Sequence, residues 1–150
     1  MHCVGIIGKN GQDMVQEFMR LNGENASCVC LTGEEQCPEL DVLVVSEGSA
    51  AVKSVIPRLA KSGYLVVNAD DKTIFPYIAP AKTKVITYGF SGKACITASS
   101  VSDDSIHICI QRGFTDLNGM AKDPQEFMAA SRGAEPETTL GAAAAWVICG

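Results

Sequence analysis

The sequence predicts an α/β fold: three layers, α/β/α, built on a mostly parallel, Rossmann-like sheet and finished by a C-terminal β-hairpin and a closing helix. Three observations predict it. Short β-branched runs alternate with segments of helical period as far as residue 91, and such alternation produces parallel strands with helices on both faces. One of these runs, Tyr64–Asn68, is apolar without interruption and then stops in Asn68-Ala69-Asp70-Asp71. A strand buried on both faces ends this way where its carboxyl end opens into a polar crevice. Beyond residue 93 the period shifts towards two, the pattern of a hairpin.

Each element has a local reason. Cys3–Gly8 is an apolar strand that breaks into Gly8-Lys9-Asn10-Gly11, after which Met14, Val15, Phe18, Met19 and Leu21 recur at helical spacing. Asn22-Gly23 stops that helix, because both residues tolerate the left-handed conformation of a C-cap. Ala26–Leu31 is a second strand, Thr32–Glu39 an acidic turn and Leu40–Ser46 a third strand. Ser49–Lys61 carries apolar residues at 52, 55, 56, 59 and 60, a helix kinked or shortened by Pro57. Gly63 ends it; Tyr64–Asn68 is the fourth strand, Asp71–Ile78 a short helix capped by its aspartate, and Lys84–Tyr88 the fifth strand.

Ala94–Val101 and Ser105–Gln111 form the hairpin, turning at Ser102-Asp103-Asp104. A short helix is expected around Pro124–Ala130 and the closing helix over Thr138–Cys149. The segment Ala142–Cys149 is apolar around most of its circumference, so it must be covered by the domain itself or by a second copy of the chain.

Residues 1–150 are read as one domain, a length that buries roughly 70% of its unfolded surface. Apolar residues at 47% against 19% charged exclude a disordered chain. A net charge of -5 with scattered lysines and arginines excludes a nucleic-acid surface. Without a basic, apolar leader or a run of about 18 apolar residues, no membrane partner and a cytoplasmic location are expected. Seven cysteines sit mostly in apolar runs as small buried hydrophobes. Cys28, Cys30 and Cys37 form the alternative, a zinc or redox cluster, although Cys-x-Cys inside a strand lacks the paired spacing of a zinc knuckle.

A glycine turn between strand and helix can aim backbone N–H groups at an anion. A working P-loop adds a lysine and then a Ser or Thr for magnesium, whereas here Gln12 and Asp13 follow Gly11. Taken together, the Asn68-Ala69-Asp70-Asp71 strand end, Val85-Ile86-Thr87-Tyr88-Gly89-Phe90 and the Ala142–Ala145 helix resemble the central ATP-binding domain of the Mur ligases, relatives of folylpolyglutamate synthetase. That family joins an amino acid to a carboxylate through an acyl phosphate. The turn Gly8-Lys9-Asn10-Gly11-Gln12-Asp13 resembles the family's Gly-Thr-Asn-Gly-Lys-Thr with its last two residues replaced.

The resemblance implies a nucleotide site, for ATP or ADP with magnesium, made by Gly8, Lys9, Asn10, Gly11, Gln12, Asp13, Asn68 and Asp71. Asn68 and Asp71 would face adenine; read from the residues alone, they are a strand end and a helix cap. Glu47 resembles the family's magnesium-binding glutamate, its alternative being a solvated turn. Before the last helix the family has Gly-Arg-His-Asn; here stand Gly133-Ala134-Glu135-Pro136. The family's long insertion with its catalytic histidine is reduced to one crossover helix, and His107, inside the hairpin, reads as structural. The family's flanking substrate domains have no counterpart within the 150 residues.

Losing the cations around a phosphoryl group forfeits most of its catalysis. The expectation is therefore a degenerate, non-catalytic Mur-ligase-like module that binds a nucleotide, another small metabolite, a protein partner or its own copy, with a link to cell-wall precursor synthesis implied by resemblance only. The alternative is the ATP-binding subunit of a split carboxylate–amine ligase, with Lys9 substituting for the missing lysine.

Overall fold

The computed structural model describes residues 2–23, 26–79 and 81–150. In chain order these form β1 (His2–Ile7), α1 (Gly11–Asn22), β2 (Ala26–Leu31), β3 (Leu40–Val45), α2 (Ala51–Val55), β4 (Leu59–Asn68), α3 (Phe75–Ile78) and β5 (Lys84–Tyr88). There follow β6 (Ile96–Val101), β7 (Ser105–Ile110), β8 (Phe114–Thr115), β9 (Ala121–Lys122), β10 (Gln125–Ala130) and α4 (Pro136–Cys149). The main sheet has eight strands in the order β2-β1-β3-β4-β5-β6-β7-β10, with β8 and β9 forming a separate small hairpin. Strands β1 to β6 are parallel and β7 and β10 add an antiparallel edge. The α/β class, the mostly parallel sheet, the hairpin and the closing helix are as the sequence predicts.

Strand β3 shows why the sheet needs two helical layers. Val42 and Val44 enter one core with Met14 and Phe18 of α1 and Leu140 of α4, while Leu43 and Val45 enter another with Val52, Val55, Ile74 and Ile78. None of these four strand residues is exposed to solvent, and period-two side-chain direction sends successive residues to opposite faces. The apolar α4 is covered within the chain: Leu140 to Ala145 are all buried, against α1 on one side and the sheet on the other. Its small residues permit that closeness, and a Cβ on Gly141 would lie 2.7 Å from Met14 Cε and 2.9 Å from Tyr88 Cζ.

Two expectations are corrected and one alternative is not met. The helix expected over 49–61 is only Ala51–Val55 with a 3₁₀ turn at Ile56–Arg58, and Leu59–Ala60 already belong to β4. Pro57 has no N–H to continue the helical ladder, and Leu59 pairs with Leu40 instead. The helix expected around Pro124–Ala130 is strand β10, antiparallel to β7 from Gln125 opposite Ile110 to Ala130 opposite Ser105. Gln, Glu, Met and Ala favour helices, but the open edge of β7 offers a full ladder, and tertiary pairing outweighs a weak local preference. The cysteine trio does not gather. Cys28 packs on the α1/α4 side and Cys37 on the opposite side of the sheet, and burial pushes the Cys28 thiol up to about 12. Among the described residues, no three His, Cys, Asp or Glu side chains come together as a metal cluster, and no helix is long and apolar enough to cross a membrane.

Candidate functional site

The strand order reverses at β1, which pairs with β2 on one side and β3 on the other. Connections leave such a switch point in opposite directions and open a crevice outside the strands' carboxyl ends. A cavity of about 290 Å³ lies there. Lys9 and Asn10 line it after β1, Ser46 and Glu47 after β3, and Asn68, Asp70 and Asp71 after β4. Tyr88 closes it at the end of β5, and Glu137 and Thr138 border it from the first turn of α4.

The loops around the cavity are tied to one another by side chains. Ser46 N donates to Ile7 O at 3.0 Å and Ser46 Oγ to Lys9 O at 2.7 Å, which fastens the turn after β1 to the end of β3. The turn fits because Gly8 has φ +119°; a Cβ there would lie 2.6 Å from Ser46 Oγ and 2.7 Å from Glu47 N. Asn10 adopts the left-handed conformation at φ 59° and begins α1. Asn68 Nδ2 donates to Ser46 O at 3.3 Å, and Asn68 Oδ1 accepts from Asp70 N at 3.0 Å.

The two aspartates reach further. Asp70 accepts from Phe90 N at 2.7 Å and Ser91 N at 3.1 Å. Asp71 accepts from Thr73 Oγ1 at 2.6 Å, Thr73 N at 2.9 Å and Gly48 N at 3.2 Å. The Thr73 hydroxyl, helped by these two amides, holds the Asp71 carboxyl below its ordinary 3.8. Lys9 Nζ stands 3.9 Å from Glu137 Oε1, a largely exposed pair that contributes little energy.

Tyr88 is different in kind. It is 1% exposed, its ring is pressed against α4, and a Cβ on Gly141 would lie 3.0 Å from its hydroxyl. Among the described residues that hydroxyl has no hydrogen-bond partner. Burial pushes the phenol's pKa up, and Glu137, Asp70 and Asp71 push it further, so the group stays neutral at any physiological pH.

No family model and no curated protein matches the sequence. Solved structures do match. The chain is similar to UDP-N-acetylmuramoylalanyl-D-glutamyl-2,6-diaminopimelate--D-alanyl-D-alanyl ligase from Acinetobacter baumannii, with a TM-score of 0.63 and 11% identity over 99% of this chain and 43% of that one. It is also similar to a crystal structure of MurF from Acinetobacter baumannii, with a TM-score of 0.64 and 9% identity over 99% of this chain and 42% of that one. The fold is Mur-ligase-like. The chain spans less than half the length of these ligases.

Within this Mur-ligase-like fold the cavity gathers Lys9, Asn10, Glu47, Asn68 and Asp71 of the sequence-derived candidates. Gly8 and Gly11 supply the backbone of the turn, whereas Gln12 and Asp13 are exposed on the first turn of α1 and do not line the cavity. Glu47 is exposed as well, at the rim. Sequence reasoning missed Ser46, Tyr88, Glu137 and Thr138, and assigned Asp70 no role. Tyr88 joins the site because it ends β5 directly opposite Asn68 at the end of β4, a neighbourhood that only the strand order creates.

The Asp71 geometry sets a pH dependence. A carboxyl whose folded pKa lies below its unfolded value stabilises the fold above the unfolded pKa, and that contribution is lost as pH falls through the folded pKa. The melting-temperature gap between the native chain and Asp71→Asn is therefore expected to be constant near neutrality and to narrow below pH 3.8. A gap unchanged down to pH 2 would mean that the Thr73 and Gly48 bonds do not act on the ionised form.

Proposed function

We propose that this chain is a non-catalytic Mur-ligase-like binding module whose crevice holds a small ligand without transferring a phosphoryl group. The charge of the crevice carries the reading: one ammonium, Lys9, faces four carboxylates, Glu47, Asp70, Asp71 and Glu137. Phosphoryl transfer needs cations around the transferring group. Here Lys9 is shared with Glu137, and Gln12 and Asp13 stand where a P-loop keeps its lysine and hydroxyl. The cavity of about 290 Å³ and the side-chain ties between the loops around it support retention of a binding role. A link to cell-wall precursor synthesis rests on the likeness of fold alone.

A thermal-shift titration with ATP, ADP and AMP, with and without magnesium, tests this, because a ligand that binds only the native state raises stability by RT ln(1 + [L]/Kd). No shift is expected at millimolar nucleotide. A magnesium-dependent rise would favour the second reading, the ATP-binding subunit of a split ligase. In that case Lys9→Ala should weaken ATP binding, and an unchanged affinity would leave no role for Lys9.

A further inference from the structure

We propose that the crevice selects a small organic cation, a protonated amine seated between Glu47 and Glu137 at the rim and the hydroxyl of Tyr88 at the base. The proposal rests on the small-ligand reading above and specifies its ligand class. Two independent observations carry it.

The first is how the carboxylates are used. Asp70 and Asp71 accept from backbone amides, and Asp71 also from the Thr73 hydroxyl, so their bonding capacity serves the loops. Glu47 accepts no hydrogen bond among the described residues, and Glu137 has only Lys9, at 3.9 Å. Two carboxylates are thus free to receive a donor, inside a field that four of them make negative. Hard metal ions need several oxygen ligands converging at about 2.0–2.6 Å, and no such group exists among the described residues. An ammonium, which is larger and donates along three directions, fits the arrangement.

The second is Tyr88. The Tyr88 side chain is 1% exposed, lines the cavity and has no hydrogen-bond partner among the described residues. Its hydroxyl is not among the sealed, unpartnered atoms of those residues, so it opens onto the cavity and is free to meet a ligand there. Staying neutral, its oxygen accepts from an ammonium and its proton remains available to a ligand oxygen.

The experiment is isothermal titration of the full chain with 1,4-diaminobutane and with spermidine, using 1,4-butanediol as the uncharged counterpart, at 0.15 M salt so that diffuse surface attraction is screened. Saturable binding of an amine and none of the diol are expected. Tyr88→Phe should weaken it about tenfold or more, as loss of a hydrogen bond to a charged group does, and Glu47→Gln, at the exposed rim, by roughly two- to fivefold. Glu126→Gln, on β10 and away from the crevice, should leave it unchanged. The proposal is overturned if neither amine binds saturably, or if Tyr88→Phe and Glu47→Gln bind as the native chain does. It is equally overturned if Glu126→Gln weakens binding as much as they do, which would mark attraction to net charge alone. Magnesium-dependent ATP binding without amine binding would sink this proposal and the non-catalytic reading together. Binding of an uncharged nucleoside alone would sink only this one.

Discussion

Phe18→Ala is expected to lower the stability of this fold by about 3–5 kcal/mol, the usual cost of deleting a fully buried aromatic ring together with the cavity it leaves. Phe18 is 0% exposed and belongs to the core between α1, α4 and the sheet. Its neighbours in that core come from α1, α4 and several strands, all fixed by their own packing. For a chain of this length each 1 kcal/mol moves the melting temperature by roughly 2–4 °C, so a drop of about 10 °C is expected. Met19, the next residue, is 38% exposed, and Met19→Ala should shift stability by no more than about 0.5 kcal/mol. Urea unfolding of both variants checks the pair. Equal effects would mean that α1 does not dock on the face described.

Gly8→Val is expected to cost roughly 2–6 kcal/mol, from about 1–3 kcal/mol of backbone strain and a similar amount of overpacking. Gly8 combines φ +119° with a Cβ position only 2.7 Å from Glu47 N. A side-chain terminus could swing aside; a backbone amide in the loop after β3 cannot. Relief requires parting that loop from the turn after β1, which breaks the Ser46–Lys9 bond and opens the crevice. Gly92→Ala is the control, since a Cβ there meets nothing within 4 Å. Comparable melting temperatures for the two variants would contradict the close approach.

The parts of the fold that were legible in the sequence are those where local pattern and tertiary role agree. Val42 to Val45 read as a strand covered on both faces, and α4, apolar over most of its surface, as a helix that needs cover, though not from which source. Strand β10 was not legible because Gln125, Glu126, Met128 and the alanines prefer a helix, and only the edge of β7 makes them a strand. Of the site, the turn after β1 and the Asn68–Asp71 segment could be found, because glycines and carboxylates at strand ends are visible in one dimension. Tyr88 and Glu137 could not be placed beside them by spacing. They meet the crevice only because β5 lies next to β4 and the start of α4 returns over the sheet.

That return of α4 also orders events in time. The helix over residues 11–22 packs on the helix over 136–149, which are among the earliest and latest residues of the sequence. Until the second is synthesised, the cover that α1 gives Val44 and Val66 is incomplete and Phe18 lacks its partner helix, so the half-sheet that forms first on the ribosome displays part of an apolar face. Closing it requires contacts across more than a hundred residues, and such distant pairings slow folding. The α2/α3 face needs no such wait: its covering segments, 51–55 and 75–78, lie between the strands they shield. The nascent chain therefore acquires a finished side and an unfinished one, and it is the unfinished side that a chaperone would meet.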